Sequence, residues 1–85
     1  NAEPNNYTHY ENAAICYYTN QNFEKSIPYF DKAASFSNNN TGKSEFFKAM
    51  SLVSMGKNSD ACGPLQAAKK KNYPDIDKFI ALYCK

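Results

Sequence analysis

Ala14, Tyr17, Ser26, Phe30 and Ala33 stand at a spacing that Ala49, Leu52, Ala61, Leu65 and Ala68 repeat 35 residues later. Counted from the first alanine of each set, the other members fall 3, 12, 16 and 19 residues on. The order small, large, small, large, small is kept in both. Small side chains let two antiparallel helices approach closely, and large ones fill the gaps between them. A chain carrying this spacing twice is restricted to building one helical hairpin in two copies.

Five helical segments follow from apolar spacing. The first is expected over Tyr7 to Asn20, with Tyr10, Ala13, Ala14 and Tyr17 on one side. Asn22 suits the N-cap of a second helix running to Phe36. The stretch "SNNNTG" then breaks the chain, since three consecutive Asn followed by Thr-Gly have little reason to stay helical. A third helix is expected over Lys43 to Met55, with Phe46, Ala49, Met50 and Val53 in one stripe and Gly56 as its terminator. A fourth starts at Asn58 or Ser59 and ends in the lysine run at Lys71, which suits the negative end of a helix dipole. Pro74 is placed to open a fifth, whose apolar face is Ile76, Phe79, Ile80 and Tyr83. No window keeps the alternation a strand needs. The chain reads as all-α.

The segments "YYTNQNFEKSIPYFDKAASFSNNN" and "MGKNSDACGPLQAAKKKNYP" are each similar to the second half of the tetratricopeptide repeat consensus, a helical hairpin of about 34 residues. The resemblance covers Tyr7 to Pro74, and the last helix resembles the cap that closes such arrays. It implies a right-handed array of two antiparallel hairpins plus a capping helix. The division is a tail at 1–6 (Asn1-Ala2 reading as a cloning remnant), a first repeat at 7–40, a second at 41–73 and a cap at 74–85. The chain departs from the consensus at Asn38, where the family usually has proline, at the small Ala13, and at the polar Glu45 and Lys48. Pro28 and Pro64 fall inside the second helix of each copy, where bending near the helix start relieves part of the strain of an interior proline. They read as structural features rather than hinges.

Composition excludes several functions. Hydrophobic residues make up 42% and charged residues 21%, which is the balance of a globular rather than a disordered chain. The net charge is only +2 and all ten basic residues are lysine, so the "KKK" at 69–71 reads as a solvated helix end and not a nucleic-acid site. No apolar run reaches membrane-spanning length. His9 and Cys16 lie seven apart and share a helical face, but no third group is evident to orient them as a nucleophile pair. Only three glycines are present, with no phosphate-cradling loop and no metal-ligand spacing. The expectation is no enzyme, no cofactor and no metal. The Asn6-Tyr7-Thr8 and Asn39-Asn40-Thr41 sequons read as chance in an asparagine-rich chain.

Cys16, Cys62 and Cys84 are an odd, widely spaced set that allows one bridge plus one free thiol in an oxidising compartment, with buried reduced thiols the plainer reading. Within the repeat resemblance, Cys62 and Cys84 come close as packed thiols or as a disulfide pinning the cap, and "DAC…YC" resembles the close of many short bacterial members. Three cysteines and a start without Met lean toward an exported, cell-envelope protein.

In the family, the first helix of each hairpin lines a concave groove that binds peptides. Carried over by position, the groove is lined by Thr8, Glu11, Asn12, Ile15, Tyr18 and Thr19 of the first repeat and by Lys43, Phe46, Phe47, Met50 and Val53 of the second, with Glu11, Asn12, Ile15, Tyr18, Phe46, Phe47 and Met50 expected to contact the partner. Glu11, Ile15 and Phe47 stand where some members hold a carboxylate clamp, so an apolar peptide or protein is the expected partner. Phe46, Phe47 and Met50 read equally as core. Because two repeats are few for such an array, further repeats before Tyr7, a homodimer or a strong cap are expected to complete it. The competing readings are a structural fragment of a larger envelope protein, its groove filled by missing repeats or a dimer partner, and a thiol enzyme using Cys16.

Overall fold

The computed structural model describes residues 7–36 and 39–84. Among these residues are five helices: α1 (Thr8–Thr19), α2 (Phe23–Ala34), α3 (Lys43–Ser54), α4 (Asn58–Lys70) and α5 (Ile76–Tyr83). No strand occurs among the described residues, so the chain is all-α. Each helix packs on the next in the chain, and α1 also reaches α3. The result is an elongated slab of 43 × 26 × 16 Å.

One turn geometry ends three of the helices. Lys57 N–H donates to the Leu52 carbonyl (2.8 Å) and Gly56 N–H to that of Val53 (2.9 Å), with Gly56 at φ +80°. This is the paired-bond stop in which a left-handed residue turns the chain back over the helix end. Gln21 (φ +62°) does the same for α1, with Asn22 N–H bonded to Tyr17 and Gln21 N–H to Tyr18. Asn72 (φ +61°) does it for α4. Links this short make α1 antiparallel to α2 and α3 antiparallel to α4. Gly42, at φ +78°, opens α3, and a side chain there would press within 3.0 Å of the Ala68 carbonyl oxygen.

The interlocking residues face inward. Ala14, Ser26, Ala33, Ala49, Ala61 and Ala68 are fully buried, as are the large Phe30 and Leu65. Leu52 is 9% exposed. Burying a Phe or Leu side chain contributes roughly 1.5–3 kcal/mol each. Tyr17 alone of the ten stays half-buried, stacked on Tyr29 at 5.4 Å. The principal core lies in the second half, where Ala49, Leu52, Ala61, Leu65 and Ala68 meet Ile76 of α5. Between α2 and α3 the hydroxyls of Ser26 and Ser51 lie 3.0 Å apart and share a buried hydrogen bond.

Beyond offsets of one residue at the ends of α1, α3 and α4, the helix ends differ from expectation in three places. Asn22 stands at the α2 N-cap, but its side chain makes no capping bond. Phe36 lies outside α2, beyond the C-cap Ser35. Pro74 does not open α5, because Asp75 takes φ +62° and a left-handed residue cannot carry a helix back to it. The expected departure at Asn38 lies outside the described residues.

Candidate interaction surface

A row of aromatic rings crosses the odd-numbered helices. Tyr18 of α1 meets Phe47 of α3 edge-on at 5.2 Å, Phe47 meets Phe46 at 5.5 Å, and Phe46 meets Phe79 of α5 at 4.9 Å. Each ring is half-buried. The row is rooted from beneath: Phe47 stacks on fully buried Phe30 at 5.9 Å, and Phe46 stacks on Tyr73 at 4.8 Å. Edge-on and offset ring pairs add to the burial term, so these side chains are held in place with one flank toward solvent. Ile15 and Met50 are half-buried, and Asn12 is exposed.

Glu11 belongs elsewhere. Expected on the groove, it is 9% exposed, and its Oε2 accepts the Ser44 hydroxyl at 2.7 Å. A carboxylate withdrawn from water needs such a donor, and Ser44 on α3 supplies it. Glu11 therefore ties α1 to α3 and is not displayed to a partner. Phe46, half-buried between Tyr73 and Phe79, sits in the middle of the row and links α3 to α5.

Sequence reasoning missed the residue that anchors this junction. Asn39 is fully buried; its Nδ2 donates to the Ala33 carbonyl at 2.8 Å and to Ser44 Oγ at 3.4 Å. Thr41 Oγ1 donates to Asn39 Oδ1, and Lys43 N–H donates to Thr41 Oγ1. The chain Ala33–Asn39–Ser44–Glu11 thus runs from the end of α2 through the loop to α3 and α1. The signal was an Asx residue between a helix end and a glycine, read only as a breaker.

Cys62 and Cys84 are joined in a disulfide with Cα atoms 5.0 Å apart, tying α4 to the residue after α5. Cys16 is a free, exposed thiol, and His9 is exposed on the same helix. Burial pushes the Tyr73 phenol up from its ordinary value. Among the described residues, no cluster of His, Cys, Asp or Glu could hold a metal ion, and no helix is long and apolar enough to cross a membrane. No protein-family model, curated protein or solved structure matches the chain.

Proposed function

We propose that this chain is a tetratricopeptide-type interaction module without catalytic activity. In this reading α1–α2 and α3–α4 are the two repeats, α5 is the cap, and the odd-helix face binds an apolar peptide or protein segment. The observation that carries it is the row Tyr18–Phe47–Phe46–Phe79, one helix to the next, each ring anchored yet part-exposed. Anchored aromatics make strong contact area at low entropic cost, which is why such residues dominate binding energies. With Glu11 drawn inward, no anionic group of α1 opposes an apolar partner there. The Cys62–Cys84 bond supports an oxidising compartment, consistent with a cell-envelope location.

The test is selection of displayed peptides on the intact protein, followed by calorimetry with the synthetic winners. Peptides carrying aliphatic or aromatic anchors should bind, and Tyr18→Ala or Met50→Ala should weaken them about tenfold while the helical circular dichroism spectrum is retained. Failure to enrich any peptide, or binding indifferent to both substitutions, overturns the reading.

A further inference from the structure

A second concave feature lies on the other side of α3. Ser44, Glu45 and Lys48 fall on one helical face, and Phe46, Phe47 and Met50 fall on the opposite one. The first set lines a cleft of about 420 Å³ whose walls are α2 (Phe30, Ala34) and α4 (Gly63, Pro64, Ala67). The repeat itself marks this place as unusual. Glu45 and Lys48 are the counterparts, 35 residues on, of Tyr10 and Ala13, so charge replaces an aromatic and a small residue in the second copy.

Glu45 is 8% exposed, and its two oxygens are treated differently. Oε2 pairs with Lys71 Nζ at 2.5 Å, which ties α3 to the end of α4. Oε1 is buried and has no hydrogen-bond partner among the described residues. A buried carboxylate oxygen without a donor is a destabilising feature that a ligand's N–H can relieve. The cleft already holds one ammonium on its wall: Lys48 Nζ sits 2.6 Å from Asp31 Oδ1, with both side chains part-exposed and free to exchange partners.

We propose that this cleft binds a guanidinium or ammonium head on a short apolar stem. The head donates to Glu45 Oε1 and to Asp31, displacing Lys48 into solvent. The stem lies against Phe30, Pro64 and Ala67. Since Oε1 is closed off from solvent, binding includes a rotation of the Glu45 carboxylate toward the cleft. A free small cation and an arginine side chain of a peptide share this chemistry.

The test is a two-dimensional NMR titration of the ¹⁵N-labelled full chain with ethylguanidinium, with doubly capped arginine, and with doubly capped citrulline as the neutral isostere. Both cations should give saturable shifts at Ser44, Glu45, Lys48 and Gly63, and citrulline should bind at least tenfold more weakly. Tighter binding of capped arginine than of ethylguanidinium identifies a peptide side chain as the source, and equal binding identifies a free cation. Glu45→Gln should weaken either by at least tenfold. Gly63→Leu, on the cleft wall where an added Cβ meets no neighbouring helix within 4 Å, narrows the cleft and should abolish binding in a folded protein. Absence of saturable shifts at the cleft, citrulline binding as tightly as arginine, or wild-type affinity in Gly63→Leu overturns the proposal.

Discussion

Asn39 has its whole side chain withdrawn from solvent and donates to both the Ala33 carbonyl and Ser44 Oγ, so truncating it leaves the first with only the Phe36 N–H and the second with only its bond to Glu11. Each hydrogen bond lost contributes about 0.5–1.5 kcal/mol. Asn39→Ala should therefore lower the unfolding free energy by about 2 kcal/mol in urea titration, and a loss below about 0.5 kcal/mol would show that the junction does not depend on it. Tyr73 gives a pH signature. Its phenol, stacked on Phe46, has its pKa raised by burial, whereas the unfolded chain releases that proton at about 10. Above that value the unfolded state binds fewer protons than the folded one, so stability falls as pH rises; below it the contribution is fully present. Urea midpoints for the wild type and Tyr73→Phe should run in parallel up to about pH 9 and diverge above about pH 10, the wild type losing more. Identical pH profiles would contradict the burial assignment.

Among the elements, the helix stops explain what was legible and what was not. The pairing of small with large residues is a local periodic signal, and Ala14, Phe30, Ala33, Ala49, Leu65 and Ala68 are all interior. Glu11 and Asn39 were misread because a polar residue looks like surface until a donor or acceptor far along the chain withdraws it, as Ser44 does for Glu11. The start of α5 was misplaced because Asp75 takes a left-handed conformation that composition does not announce. Gln21 is the first-copy counterpart of Gly56, with a side chain where glycine is the unstrained choice. Gln21→Gly should raise stability by about 1 kcal/mol by urea titration; an unchanged or lowered midpoint would show that the turn is not strained there. α5 has eight residues, too few to persist alone. The disulfide closes a separation of 22 residues, for which loop entropy gives about 3 kcal/mol. The Cys62→Ser/Cys84→Ser double variant should lose about that much, and α5 amides should exchange first with deuterium. Full α5 protection in that variant would mean that packing on α4 alone holds the cap.

At the scale of the whole molecule, sequential packing separates two faces. The odd helices carry the aromatic row, while the charged cleft lies between α2 and α4 over the far side of α3. A slab 16 Å thick leaves both faces near solvent, yet Phe47 bears directly on Phe30 between them. The surface proposed for recognition is thus built on the rings that also hold the hairpins together.

The decisive measurement is an NMR perturbation map of the labelled chain bound to a peptide selected on it. Shifts and intermolecular contacts should gather at Ile15, Tyr18, Phe47, Met50 and Phe79. Contacts gathered instead on α2 and α4, with those five positions unmoved, would contradict the odd-helix face as the place where partners dock.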